Sequence, residues 1–332
     1  MICNSSASEL WNLTNNAKPA KSTYNLVITL ITMFVSTFGI AGNCLVIWFL
    51  FFKIKRNVST VYILNLAIAD TVFLLFVSIV YFVCLIVFKK PAYEVRFGDT
   101  YIHKVLNIFS FSILFAYNTS LCLLTVISVE RCISVLFPVW YHCKRPQYLP
   151  TIVCTMIWLL SCLLTLLEII FCNKLLRKPH EAICDKDCLP IFIVICCISF
   201  MIFIPLMIIS SLAILINVCT RSKQWQPTKL YIVITVTVLF FLVFAMPMRV
   251  LLLVFYKRNI LPAFPIIEIS VLFCSLSSSI NPFVYYLVGR QGIGSRKLNI
   301  NVTFHAVFHE EGSQYKKHQG KEIKSNTSIM QN

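Results

Sequence analysis

Asp70, the adjacent pair Glu130-Arg131, Glu168 and Arg249 stand in stretches of sequence that are otherwise almost entirely apolar. If those stretches cross a bilayer, each charge costs at least about 2.5–3.5 kcal/mol near the membrane centre, so each needs a partner. For Asp70 the matching groups are amides and hydroxyls: Asn43, Ser120, Ser277, Ser278 and Asn281. Glu130 and Arg131 are neighbours and can neutralise each other. Arg249 presents a planar fork of donors that suits a carboxylate bidentately, and its alternative is an internal pair with Glu168. Glu268, Asp185 and Asp187 are weaker candidates for a ligand cavity and read first as solvated rim charges. No metal or nucleophile constellation accompanies these residues, so the chain reads as a non-enzyme.

Two of the apolar stretches are broken from within, one by Pro247 and one by Asn281-Pro282-Phe283-Val284-Tyr285. Proline removes a backbone donor and frees a carbonyl, and lipid offers no water to satisfy it. Such breaks persist where a neighbouring helix or a hydrated cavity accepts the freed groups, which fits an element that moves. The surrounding composition is that of a membrane protein: 58% hydrophobic, 13% charged and eight glycines in 332 residues, with mean hydropathy +0.80. A spanning helix needs roughly 20 apolar residues. Segments near 25–51, 58–88, 101–132, 148–171, 189–219, 229–256 and 266–288 meet that need. Short connections and the lack of an internal repeat predict one all-α, seven-helix transmembrane bundle of antiparallel neighbours.

Residues 1–24 are polar and carry the glycosylation acceptors Asn4-Ser5-Ser6 and Asn12-Leu13-Thr14. No cleavable leader is read there, so the first span serves as its own insertion signal. Glycans on Asn4 and Asn12 require an extracellular amino terminus, and an odd number of spans then leaves the other end cytoplasmic. Basic residues divide almost evenly between the two faces, so orientation rests on these acceptors rather than on charge. The net charge of +16 is likewise split between two membrane surfaces and is no nucleic-acid signature. The chain thus divides into an extracellular segment 1–24, a membrane domain 25–288 and a cytoplasmic tail 289–332. Glycines after Arg290 weaken any membrane-surface helix in that tail. Most of the fifteen cysteines lie in spans, where they pack as small apolar residues. Cys172 faces outward and is predicted to bridge to Cys184 or Cys188.

A sequential pattern is more specific than any of these features. Gly42-Asn43, Leu66-Ala67-Ile68-Ala69-Asp70, Glu130-Arg131-Cys132, Trp158, Pro205, Pro247 and Asn281-Pro282-x-x-Tyr285 occur in that order, on successive spans. In this the chain resembles the rhodopsin-like G-protein-coupled receptors. Longer strings narrow the resemblance: Thr60-Val-Tyr-Ile-Leu-Asn-Leu66, Ile127-Ser-Val-Glu-Arg-Cys-Ile-Ser-Val-Leu136, Pro138-Val-Trp-Tyr-His-Cys-Lys-Arg-Pro146 and Phe244-Ala-Met-Pro-Met-Arg249. These are similar to the Mas-related receptors, and more to the Mas-like branch than to the sensory-neuron and mast-cell branches.

The resemblance implies a plasma-membrane receptor, with settings that include sensory neurons. It couples to a heterotrimeric G protein, with arrestin and receptor kinases as further partners, and its agonists are peptides or small molecules. It implies that Asp70, with Ser120 and the polar set around it, holds an allosteric sodium ion in the resting state. Glu130-Arg131 becomes a switch that releases its guanidinium to the G protein, with Tyr285 holding the opened form and Pro247 and Pro282 as hinges. Glu168 matches a span-four glutamate that binds cationic agonists in the sensory branch. Arg249 belongs to the Mas-like string and is assigned to a ligand carboxylate. The spacing to Pro205 is Mas-like for Cys188, which makes Cys172–Cys188 the preferred bridge. Departures are equally specific. Leu106 stands where most rhodopsin-like receptors carry the span-three cysteine, Ala245 where they carry a tryptophan switch, and Ile113 where amine receptors carry an aspartate. Activation is then expected to be triggered by other packing, with Phe241 and Phe244 as the candidates, and the pattern disfavours biogenic amines as ligands. The altered switch and weak tail helix also motivate a second class, an interaction-only receptor acting by heteromerisation. A transporter or channel would show a repeat or a continuous polar path, and neither is present.

Overall fold

A computed structural model describes residues 20–54, 58–87, 101–137, 141, 146, 148–177, 188–220, 229–245 and 264–290. The described residues are almost entirely helical. In chain order they are α1 (Ala20–Phe52), α2 (Val58–Val87), α3 (Tyr101–Leu136) and α4 (Leu149–Arg177). The fifth, α5, begins as Cys188–Ile198, passes through a π-helical turn at Ser199–Phe203 and continues as Ile204–Thr220. Next, α6 runs through Lys229–Phe240 into a second π-helical turn, Phe241–Ala245, and α7 spans Phe264–Arg290. Helices overrun the apolar segments read from sequence: α1 starts at Ala20 rather than near 25, α3 ends at Leu136 rather than near 132, and α4 reaches Arg177. Hydropathy marks the lipid-crossing part, whereas helical hydrogen bonding continues into the polar margin.

Helix α3 lies at the centre of the bundle. Within its spanning window 67% of residues are buried, against 28% to 39% in α1, α2, α4 and α5, and it touches α2, α4, α5 and α6. Helix α1 closes the ring by packing on both α2 and α7. The outer faces are apolar and exposed, with Phe34 and Phe38 on α1, Ile152, Met156, Leu159 and Leu163 on α4, and Met201 and Ile209 on α5. Lipid can cover such surfaces because helical hydrogen bonding satisfies the backbone along their length. Buried hydroxyls use the same ladder. Thr32, Thr119, Thr125, Ser128, Thr165 and Ser199 each donate to the carbonyl four residues earlier, so these six hydroxyls enter the interior with their donors satisfied.

Two prolines are accommodated by altered backbone or by a neighbouring helix. At the α5 π-turn the Ile204 N–H donates to the Ser199 carbonyl five residues back, which loosens the helix immediately before Pro205. Pro282 stays inside a continuous α7. The α6 π-turn ends two residues before Pro247, which lies outside the described residues.

Candidate functional site

The polar core forms where α2, α3 and α7 meet. Asp70 is buried, and its two carboxylate oxygens take different partners. Ser120 on α3 donates to Oδ1 at 3.0 Å, and the Asn281 amide on α7 donates to Oδ2 at 2.7 Å. Ser278, one turn before Asn281, adds another side-chain hydrogen bond. A single carboxylate therefore joins three helices through donors that each compensate part of its desolvation. Ser277 is buried on the same stretch of α7 but makes no described bond to Asp70.

Asn43 differs from the sequence expectation in an instructive way. Its side-chain amide does not reach Asp70; it donates to the Gly39 carbonyl at 3.0 Å and to the Ser278 carbonyl at 3.1 Å. Ser278 is four residues before Pro282, so its carbonyl is the one that proline leaves without a helical donor. The α1 amide replaces that donor across the helix interface. Close approach makes the bond possible: a Cβ on Gly42 would sit 3.1 Å from the Pro282 ring, and one on Gly39 would sit 2.1 Å from Ser279 Oγ. Ser279 itself donates to the Val35 carbonyl at 3.1 Å. The break at Pro282 is thus sealed by a strip of α1 without large side chains.

At the opposite end of α3, Glu130 and Arg131 form an ion pair at 3.2 Å, with both side chains buried. Two residues not singled out from sequence complete the cluster. Ser59, at the start of α2, accepts from the Arg131 guanidinium, and the Tyr141 hydroxyl donates to Glu130. A serine and a tyrosine are unremarkable in sequence, and only their placement against the pair gives them meaning. Tyr285 is buried on α7 one turn beyond Asn281.

In the half of the bundle that holds the start of α7, Glu168 is buried on α4, three residues after Thr165, which receives a 3.3 Å hydrogen bond from Asn118 of α3. Glu268 corrects the reading of a solvated rim charge. It is buried in the second turn of α7 and accepts a hydrogen bond from Tyr81 of α2. Sequence gave no sign of this, because the tyrosine partner lies far away in the chain. Arg249, Pro247, Asn4 and Asn12 lie outside the described residues. Cys172 and Cys188 fall on α4 and α5, and their side chains are also outside the described set.

Residues 42–285 match the family model described as "7 transmembrane receptor (rhodopsin family)". Among curated proteins, Proto-oncogene Mas of Homo sapiens is 38% identical over 286 residues, covering 86% of this chain and 84% of that protein. Mas-related G-protein coupled receptor member H of Mus musculus is 39% identical over 312 residues, 90% of each chain. Member D of Homo sapiens is 35% identical over 268 residues, 80% of this chain and 79% of that protein. The chain is a Mas-related receptor of the rhodopsin family. It is therefore a multi-pass membrane receptor.

In this receptor Ala245 of α6 stands among aromatic rings. Phe241 stacks on Tyr117 of α3 with centroids 6.0 Å apart. Phe244 stacks on Phe240 at 5.5 Å and meets Phe273 of α7 edge-on at 5.6 Å. The two residues that sequence offered as substitutes thus face different neighbours, Phe241 toward α3 and Phe244 toward α7. Trp158 keeps its landmark position on α4 and donates to Asn65 of α2 at 3.0 Å.

Proposed function

We propose that this receptor converts the binding of an extracellular ligand into nucleotide exchange on a heterotrimeric G protein, with Arg131 as the group that engages the G protein. The observation that carries the reading is the closed Glu130–Arg131 pair, fastened by Ser59 and Tyr141 at one end of the most buried helix. A guanidinium held by Glu130 and Ser59, with Glu130 itself held by Tyr141, is a two-state element rather than a static brace. Tyr285, on the helix whose proline is sealed by Asn43, is the group assigned to hold the opened form. The amino terminus faces outward at the plasma membrane. Arrestin and receptor kinases act on the cytoplasmic side after activation.

The ligand reading is a peptide or small molecule with an anionic group received by Arg249. Outer segments carry more basic than acidic residues, a field that draws negative charge. Glu168 supplies the opposing charge on α4, either to the ligand or to Arg249. In the resting core, Asp70 with the Ser120 hydroxyl is assigned a sodium ion, since hard cations take oxygen ligands. Sodium-dependent thermal stability, lost in Asp70→Asn, tests that assignment without any agonist.

The decisive test of function is a peptide-library screen on cells carrying promiscuous G proteins. Wild-type receptor should respond, Arg131→Ala should be silent at equal surface expression, and Arg249→Lys should lose potency because it keeps charge without the planar fork. A response that survives Arg131→Ala unchanged would overturn the coupling role. Receptor that alters a partner receptor's signalling while remaining silent with every ligand would favour heteromerisation.

A further inference from the structure

We infer that the Tyr117 hydroxyl, by donating to the backbone carbonyl of Ala245, is the latch that holds α6 against α3 in the resting receptor. This inference rests on the receptor reading above. The Tyr117 hydroxyl reaches the Ala245 oxygen at 3.1 Å, and the Cys274 thiol of α7 approaches the same oxygen at 3.8 Å. Tyr117, Ala245 and Cys274 are all buried, so water does not compete for the bond. Ala245 closes the π-helical turn of α6, and with only a methyl side chain it lets two other helices reach its main chain. A backbone carbonyl thus gathers α3, α6 and α7. The Tyr117 ring is aligned for this by its stack on Phe241, one turn before Ala245. An outward swing of α6 must stretch the bond at its pivot. The closed Glu130–Arg131 pair on the same α3 places the observed contact in the resting arrangement.

Tyr117 is a positioning residue: it acts through the placement of α6. The removal of one neutral hydrogen bond should change the ratio of resting to opened forms about fivefold. The test uses full-length receptor in nanodiscs, with spin labels on non-natural amino acids at Phe137, just after α3, and Lys229, at the start of α6. Wild type should give a dominant short inter-label distance with a minor longer one, and Tyr117→Phe should raise the ratio of the longer to the shorter about fivefold. Cys274→Ala should move the distribution in the same direction but less, because a thiol at that distance is a weak donor. An unchanged distribution in folded Tyr117→Phe overturns the latch. Should Tyr117→Phe not fold, the Cys274→Ala distribution and Phe241→Leu, which releases the tyrosine ring, decide by the same criterion. Because the distance needs no G protein, a shifted distribution without nucleotide exchange would fault the coupling reading and leave the latch standing.

Discussion

Replacing Asn43 by alanine should strand the Ser278 carbonyl, and the cost depends on whether residue 282 is proline. The Gly39 carbonyl, Asn43's other acceptor, lies within α1 and keeps its helical donor. Only Ser278 O, at 3.1 Å from the Asn43 amide, has lost its own donor to Pro282. An unsatisfied buried carbonyl costs about 1–3 kcal/mol, while side-chain hydrogen bonds between membrane helices average about 0.6 kcal/mol. Asn43→Ala should therefore destabilise by about 1–2 kcal/mol. In a Pro282→Ala background the alanine N–H can reach Ser278 O, so the same Asn43→Ala change should cost about 1 kcal/mol less. The volume removed at Asn43 is identical in both backgrounds, so cavity terms cancel in the cycle. Equilibrium unfolding in mixed detergent and lipid micelles measures all four proteins. Additive costs would refute the view that Asn43 replaces the donor that Pro282 lacks.

Gly39→Ala should reduce surface expression severely, because its Cβ would fall 2.1 Å from Ser279 Oγ and 2.6 Å from Leu74 Cδ1; Gly42→Ala, facing the Pro282 ring at 3.1 Å, should be milder, and flow cytometry of tagged receptor ranks the two. Asn4 and Asn12 should carry glycans and Asn326 should not, as read by gel mobility after glycosidase treatment of Asn→Gln variants; a glycan on Asn326 would reverse the topology. Peptide mapping of mature surface receptor should find Cys172 joined to Cys188, stabilising the outer loop by about 2–4 kcal/mol, whereas Cys172 joined to Cys184 would move the bridge.

The helices were legible because lipid enforces long apolar runs with internally satisfied backbone, and the ordered landmarks named the family. The neighbourhood of Asp70 was legible in part. A buried carboxylate needs donors, and Ser120, Ser278 and Asn281 are polar residues on the helices that meet it. Contacts between a side chain and the backbone of another helix were not legible. Asn43 reaching Ser278 O, or Tyr117 reaching Ala245 O, depends on interaxial distance and helix rotation, which hydropathy does not encode. Glu268 was read as a surface charge because its position near a helix start resembles a rim, and only the packing of α2 against α7 brings Tyr81 to it. Ser59 and Tyr141 were overlooked for a related reason. Their types are common, and their role comes from lying beside the α3 ion pair.

The central claim is that the Glu130–Arg131 pair restrains Arg131 until the receptor opens. Agonist-independent nucleotide exchange on purified G proteins of each major class, catalysed by receptor in nanodiscs, addresses it without a ligand. Glu130→Gln removes the charge that holds the guanidinium, a hydrogen bond to a charged group worth about 1.5–3 kcal/mol. Exchange should therefore rise about tenfold or more with at least one G protein, and the added Arg131→Ala change should abolish the increase. Glu130→Gln receptor, folded and intact, that exchanges no faster than wild type with any G protein would contradict the account, as would an increase that persists when Arg131 is alanine.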